Sequence, residues 1–373
     1  MDYLGKNIPK LGFGLMRLPM NGEEIDMEQS KAMVDRFMSA GFNYFDTAYG
    51  YINGKSEKAV KTLLTDRYPR DSFILATKLP AWAGVKTAEE AKAMFYTSLE
   101  RTGAGYFDFY LMHNCGENRT KCFDDFGIWE FALKLRQEGL IKHLGFSFHD
   151  KADVLDQMLN EHPEMEFVQL QINYADWQSA TVQSQKCYEV AMKHNKPVII
   201  MEPVKGGLLA SPPKAVCDVF AELDPSASAA SWAMRYAGSL DGIITVLSGM
   251  SNMEQVEDNL KTMSDFKPLD ERERAAMQKA SDIILSADTV PCTSCRYCTE
   301  VCPKNIEVPG ILASLNSYIS YENLPCAEHS YEFATRDGGT ADKCISCKKC
   351  EAVCPQHIDI SEQLKRTRIV LGV

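Results

Sequence analysis

The chain has 373 residues, 45% of them hydrophobic and 24% charged, and carries a formal net charge of −11. That length exceeds the usual single core, so a large domain plus a small one is expected. The composition is ordinary for a soluble globular protein, no apolar run approaches the length that spans a bilayer, and the acidic balance argues against nucleic acid as a partner.

The N-terminal M-D-Y-L-G-K-N-I-P-K lacks the apolar core of a secretory leader, so the expected location is the cytoplasm. Between Leu11 and Leu247 short β-type runs alternate with longer helical stretches. The runs are L-G-F-G at 11, N-Y-F-D at 43, F-I-L-A-T-K at 73, F-D-F-Y-L-M-H at 107, I-K-H-L-G-F-S at 141, F-V-Q-L-Q-I at 167, V-I-I-M-E at 198 and G-I-I-T-V-L at 242. The stretches between them predict helices over 27–40, 56–67, 88–102, 124–138, 151–160, 181–194, 227–236 and 253–261. Eight strand-helix units predict an α/β fold, a closed parallel (β/α)8 TIM barrel rather than an open sheet, occupying residues 1–285. A small hairpin is expected ahead of Leu11, and the amphipathic stretch from Asp270 to Leu285 bridges to a second domain over 286–373.

Such barrels carry their chemistry at the C-terminal ends of the strands. Ionisable residues recur there: Asp46 ends the second run, Lys78 the third and His113 the fourth, with Tyr51 in the loop after the second. Taken singly, each has a plain structural explanation as an ion pair, a packing tyrosine or a core histidine.

Together, F-D-T-A-Y-G-Y from Phe45, A-T-K from Ala76 and L-M-H from Leu111 resemble the aldo-keto reductase family, and Asp46, Tyr51, Lys78 and His113 match its catalytic tetrad. The resemblance runs from L-G-F-G-L-M-R-L-P at 11 to E-D-N-L at 257. The roles are chemically consistent. Hydride addition to a carbonyl leaves an alkoxide, which needs a proton from Tyr51. A nearby ammonium, Lys78, draws the phenol pKa down, Asp46 keeps that ammonium charged, and His113 orients the carbonyl oxygen.

A cofactor is less legible. G-F-G at 12 is followed by Arg17 where a dinucleotide fingerprint needs its last glycine, so no such fingerprint is present. The loops after the seventh and eighth strands hold Lys205, Gly206 and Gly207, and Ser251 at a helix start. These could hold a pyrophosphate, or equally be turn glycines and a helix cap. By resemblance, Ser147, Gln169 and Asn173 surround a nicotinamide carboxamide, Met201 takes the place of a stacking tyrosine, and Asn259 lies in the E-D-N-L segment. Phe148 departs from an asparagine, and Gly249 and Gln255 fall where many members carry basic residues for the adenosine phosphate. NADP or NAD is therefore expected, and a flavin packed against Met201 and Phe148 is the alternative.

Of thirteen cysteines, eight sit in two runs, C-T-S-C-R-Y-C-T-E-V-C-P from Cys292 and C-I-S-C-K-K-C-E-A-V-C-P from Cys344. Thiolates at this spacing wrap 4Fe-4S cubes, and in two-cluster ferredoxins the last cysteine of each run reaches the other cube. One cluster is thus expected on Cys292, Cys295, Cys298 and Cys354, and the other on Cys344, Cys347, Cys350 and Cys302. Zinc needs neither the third step nor the Cys-Pro ending. The intervening segment, with I-L-A-S-L-N-S-Y-I at 311 and D-G-G-T at 337, resembles the helical dicluster type of ferredoxin-like domain. Cys115, Cys122, Cys187, Cys217 and Cys326 read as reduced thiols.

The leading expectation is an NAD(P)-dependent oxidoreductase that interconverts a small-molecule carbonyl and an alcohol, accompanied by two 4Fe-4S clusters. Nicotinamide moves electrons in pairs and each cluster moves one, so two other readings stand beside it. One is a ferredoxin-linked enzyme that uses a flavin and exchanges electrons with ferredoxin or another carrier. The other is a nucleotide-binding redox sensor, against which the complete tetrad argues.

Overall fold

The computed structural model describes Leu4, residues 8–117 and residues 119–373. The hairpin expected ahead of Leu11 lies largely outside these described residues. The chain divides into two compact units, one holding the chain up to Lys205 with Ala230–Arg274, the other Gly206–Ala229 with Ala275–Val373. The sequence expectation put the boundary at the end of the helix Glu271–Leu285, whereas this division runs inside that helix.

In the first unit eight parallel strands close on one another in chain order: β1 (Leu11–Gly14), β2 (Tyr44–Asp46), β3 (Ile74–Leu79), β4 (Phe107–Cys115), β5 (Ile141–Phe148), β6 (Phe167–Gln171), β7 (Val198–Met201) and β8 (Ile243–Gly249). The ring is sealed where β1 pairs with both β8 and β2, with Leu11 beside Val246 and Gly12 beside Tyr44. Helices α1 (Met27–Ser39), α2 (Lys55–Val60), α3 (Ala88–Thr102), α4 (Ile128–Gln137), α5 (Ala152–Glu161), α6 (Ser184–Lys193), α7 (Ala229–Gly238) and α8 (Met253–Ser264) follow the strands in turn. Three of them, α1, α3 and α8, start at side chains that accept orphan amides: Asp26 from Gln29 N at 3.0 Å, Thr87 from Glu90 N at 3.2 Å and Asn252 from Gln255 N at 2.9 Å.

Two helices differ from expectation. The one predicted over 56–67 stops at Val60 and continues as a single π-type turn, Lys61–Thr65. The one predicted over 124–138 is split by Gly127, whose φ of 60° ends the short helix Lys121–Asp125 before α4 begins. A two-stranded ribbon, Met20–Asn21 with Glu24–Ile25, sits between β1 and α1 and had no counterpart in the sequence reading.

The alternation of side chains along each strand decides what reaches the lumen. One buried cluster contains Tyr44, Ala76, Phe109, Leu111 and Phe167. The residues next to them, Phe45, Leu75, Tyr110 and Val168, belong instead to the larger core that includes the helices. Two residues on from Tyr44, Ala76, Leu111 and Phe167 come Asp46, Lys78, His113 and Gln169. Period-two geometry therefore puts the polar residues in the same inward register, one layer above the apolar one. The layer below is closed by rings, with Tyr44 and Phe167 packed 5.4 and 5.1 Å from Phe109.

The second unit has its own core, built from the helices Val308–Tyr321, Leu324–Thr335 and Ile360–Leu371 around Ile311, Leu315, Ala327 and Leu364. The D-G-G-T turn makes a close backbone approach: Gly339 N donates to Asn305 O at 2.6 Å, and a Cβ on Gly339 would lie 2.5 Å from Lys304 O. Asn316 braces the entry to the first cysteine run by accepting from Val290 N at 2.7 Å and donating to Val290 O at 2.8 Å. Among the described residues no helix is long and apolar enough to cross a membrane.

Gly145 on β5 faces Phe167 so closely that a Cβ would lie 2.5 Å from the Phe167 carbonyl oxygen and 2.7 Å from its ring. Since a carbonyl cannot swing aside as a side-chain end can, Gly145→Ala should destabilise the barrel by about 1–3 kcal/mol. Urea unfolding measures this, and an unchanged midpoint would show that the lumen can yield.

Candidate active site

Lys78 has no exposure to solvent, and its ammonium has three donors to place. All three find oxygen: Asp46 Oδ1 at 2.5 Å, the Thr47 carbonyl at 2.8 Å and the Tyr51 hydroxyl at 3.2 Å. Asp46 uses its other oxygen to accept from Gln169 Nε2 at 3.2 Å. The half-buried Tyr51 ring stands edge to face with His113, centroids 5.8 Å apart. His113 Nδ1 is a buried atom without a partner, and Trp82 closes over the residue by donating to its carbonyl at 2.6 Å. The structure thus brings the four predicted tetrad residues to one place.

The electrostatics refine the expectation for the phenol. Burial pushes the Tyr51 pKa up, and this outweighs the pull of the Lys78 ammonium, whose effect Asp46 partly cancels. The net direction is upward, opposite to that expected from Lys78 alone. Burial also raises Asp46 against the pull of Lys78. For Lys78, burial works to lower the pKa, but Asp46 and Tyr51 together reverse it and keep the ammonium charged. Burial holds His113 well below the ordinary histidine value, with Lys78, His149 and Arg119 adding to the effect, so the ring is neutral at neutral pH.

The loop that carries Tyr51 is fixed from behind by residues the sequence reading missed. Ile52 and Asn53 adopt left-handed backbone at φ 50° and 53°, an uncommon state for a β-branched residue. Glu57, fully buried, accepts from Thr77 Oγ1 at 2.8 Å and from Arg101 Nη1 at 3.1 Å. Arg101 also donates to the Tyr49 carbonyl at 3.0 Å and lies 4.2 Å over the Tyr49 ring. Thr77 precedes Lys78 and Tyr49 lies two residues before Tyr51, so this one ion pair ties the two halves of the site together. In sequence, Glu57 is an acid in a first helical turn, indistinguishable from a solvated one.

The predicted cofactor residues divide into groups. Ser147 accepts from Asn114 N at 2.7 Å, and Gln169 is committed to Asp46. Asn173 uses its amide within the protein, donating to Asp176 Oδ2 at 2.8 Å and Glu202 O at 3.2 Å and accepting from Asp176 N at 2.9 Å. Lys205 is ion-paired to the buried Asp176 at 2.6 Å. Met201 is partly exposed at the end of β7, whereas Phe148 packs in the layer between strands and helices at 2% exposure. Ser251 Oγ donates to Arg17 O at 2.8 Å, and Gln255 caps its own helix by accepting from Ser251 N at 2.7 Å. Asn259, buried, donates to Ser248 Oγ at 2.8 Å. Gly206 and Gly207 open the second unit with left-handed backbone, φ 65° and 105°.

In the second unit the cysteines gather across the two runs. Cys292, Cys295 and Cys298 line a pocket together with Cys354. Cys344, Cys347 and Cys350 line another together with Cys302. Among the described residues no group of three or more Cys, His, Asp or Glu is gathered around a single metal ion. The runs repeat each other in backbone as well as sequence. Ser294, Arg296 and Asn305 have φ of 56°, 67° and 49°, and their counterparts Ser346, Lys348 and His357 have 52°, 59° and 51°. Such left-handed residues turn backbone N–H groups into concavities that suit an anionic centre. One-turn helices, Tyr297–Glu300 and Lys349–Ala352, also match.

The chain belongs to the aldo/keto reductase family, whose model matches residues 10–282, and a 4Fe-4S dicluster domain matches residues 291–358. An aldo-keto reductase of Mycolicibacterium smegmatis is 29% identical over 143 residues, 38% of this chain and 47% of that protein. The chain thus spans about half the length of the mycobacterial relatives it matches. An uncharacterized oxidoreductase of Bacillus subtilis is 23% identical over 303 residues, covering 73% of this chain and 92% of its own. The fold is that of an aldo-keto reductase from Bacillus halodurans in its holo form, with a TM-score of 0.58 at 24% identity over 74% of this chain and 93% of that one. An aldo-keto reductase from Klebsiella pneumoniae in complex with NADPH gives 0.57 at 18% identity, over 74% and 92%.

Removing one partner of a buried ion pair strands the other charge. Glu57→Gln should therefore cost about 3 kcal/mol of barrel stability, and Glu57→Leu combined with Arg101→Met should recover much of it because no charge is left behind. Urea unfolding of both variants checks this, and a double variant no better than the single would contradict it.

Proposed function

We propose that the barrel interconverts a small-molecule carbonyl and its alcohol, with Tyr51 as the proton donor in the reducing direction. The observation that carries this reading is the ammonium of Lys78 held between Asp46 at 2.5 Å and the Tyr51 hydroxyl at 3.2 Å, with a neutral imidazole beside them. A nicotinamide cofactor, when bound, supplies or accepts the hydride. The similarity to structures solved with NADPH supports that choice. The residues that would hold it are Ser147 and Met201 at strand ends and Ser251, Gln255 and Asn259 at and on α8, and Ser147 keeps its hydroxyl proton to donate.

The residues act in a definite order of charge. Tyr51 stays protonated at rest because burial raises its pKa, so it can donate a hydrogen bond to the carbonyl oxygen. His113 is neutral and offers a second polar contact without adding a charge. As the alkoxide develops, the Tyr51 proton moves to it and the phenolate that remains is stabilised by Lys78, whose charge Asp46 maintains. Lys78 serves the transition state here and does not pre-ionise the phenol.

In the second unit the reading is two 4Fe-4S clusters, one on Cys292, Cys295, Cys298 and Cys354 and the other on Cys344, Cys347, Cys350 and Cys302. Two cavities, each with four cysteines drawn from both runs, support it. Apolar neighbours such as Val308 and Leu312 limit water around the sulfurs, and exposed Cys295 and Cys347 leave each cavity an edge toward solvent.

Two experiments test these assignments. Tyr51→Phe should slow carbonyl-dependent NADPH oxidation by about two orders of magnitude or more while NADPH binding, followed by fluorescence, stays near wild type. Retained turnover would remove Tyr51 from the mechanism. Anaerobically purified Cys302→Ala and Cys347→Ala should share one residual electron paramagnetic resonance spectrum, and Cys354→Ala and Cys295→Ala the other. If Cys302→Ala instead matched Cys295→Ala, each run would close on itself.

A further inference from the structure

The two cysteine runs superimpose in sequence, so each surface residue of one has a counterpart in the other, and the comparison is an internal control. Around the second run the exposed residues are Lys343, Ile345, Lys348 and Lys349, with Lys304 brought to the same cavity rim. Their counterparts around the first are Pro291, Thr293, Arg296, Tyr297 and Gln356. The second edge therefore holds four lysines against Asp342, Glu351 and Asp359, while the first holds one arginine against Glu300 and the Glu307 that pairs with it at 2.7 Å. Lys348 is tied only loosely, 3.5 Å from Glu351, with its side chain 65% exposed. Within the basic edge Ile345 is 58% exposed, two residues before exposed Cys347.

We propose that this edge is the docking port of a small acidic electron-carrier protein, so that electrons enter or leave through the cluster on Cys302, Cys344, Cys347 and Cys350. The inference rests on the two-cluster reading above. An exposed apolar contact ringed by cations is the pattern that guides a complementary partner and fixes its orientation without tight binding. A chain with a net charge of −11 repels acidic proteins elsewhere on its surface, so a local excess of lysine selects one approach. Exposed Cys347 puts that cluster's ligand shell at the contact, and one electron crosses per encounter: the reduced carrier is oxidised as the cluster is reduced, or the reverse.

The test uses the full-length protein with its clusters, purified anaerobically, and an acidic bacterial ferredoxin as the probe. Cluster reduction by the pre-reduced ferredoxin is followed by stopped-flow absorbance across a salt series, and the complex is crosslinked with a carbodiimide and mapped by mass spectrometry. Wild type should slow steeply with salt. Lys343→Glu combined with Lys349→Glu should slow it by about tenfold or more at low salt and flatten the salt dependence. Tyr297→Glu, at the position matching Lys349, should stay within about twofold. Crosslinks should fall on Lys304, Lys343, Lys348 or Lys349. Iron content and the dithionite-reduced spectrum are measured in every variant. Equal slowing by Tyr297→Glu, or wild-type rates in the lysine variant with its clusters intact, overturns the port and leaves the cluster reading standing. A preparation that takes up no iron overturns both. Concentration-dependent self-association abolished by the lysine variant would assign the patch to a second copy of this chain, and overturns the proposal too.

Discussion

A lysine ammonium without access to water, deep in the mouth of a closed barrel, is the constraint on which the rest of the first unit depends. Moving such a charge out of water costs several kcal/mol, and the cost is met only if every donor is placed. Lys78 places all three of its donors, on Asp46, Thr47 and Tyr51, and Asp46 places its second oxygen on Gln169. The arrangement needs β2, β3 and β6 in fixed register and the Tyr51 loop in one conformation. The apolar ring layer beneath and the Glu57–Arg101 pair behind are what fix them. The same arrangement is chemically useful, because it holds a cation next to a phenol that is neutral at rest. On the proposed mechanism, the site is stabilised by a group whose full electrostatic value would appear only when negative charge develops on Tyr51.

The barrel was legible because its signals are long and redundant: eight strand runs, each followed by a helical stretch, and polar residues at strand ends where two-residue alternation directs them inward. Asp46, Lys78 and His113 could be placed because each follows an inward apolar residue by two positions. The direction of the Tyr51 shift was not legible, since it depends on the balance of burial against two opposite charges that only partly cancel. Glu57 and Arg101 escaped because pairing between a helix start and a residue 44 positions on leaves no local mark. Phe148 was misread for a related reason. Its neighbour Ser147 takes the inward register, so Phe148 turns into the strand-helix layer, at the wall of a pocket shared with Leu170, Gln171 and Cys187. Lys205 reads in sequence as a free cation after the seventh strand, whereas in the fold Asp176 claims it.

The second unit was legible by a different route. Its cysteine spacing states a coordination chemistry, and the fold groups Cys354 with the first run's other three cysteines and Cys302 with the second run's. That exchange matters for a unit whose core is small. On the proposed ligation, a ligand set drawn from both runs would close the chain between them and constrain the helices and the turn through Gly339 together, in the way that metal binding and folding are coupled.

The repeat also separates what ligation requires from what it does not. Residues needed to wrap a cluster keep the same conformation in both halves, down to three matched left-handed positions that are not glycine. If both edges served only to enclose clusters, their exposed positions would be under the same constraint. They differ instead in charge and in where an apolar side chain is exposed, Ile345 opposite Thr293 on one edge and Tyr297 opposite Lys349 on the other. Lysine and isoleucine side chains standing in water contribute little to stability. On the docking proposal, their concentration on one of two otherwise equivalent edges reflects what that edge meets.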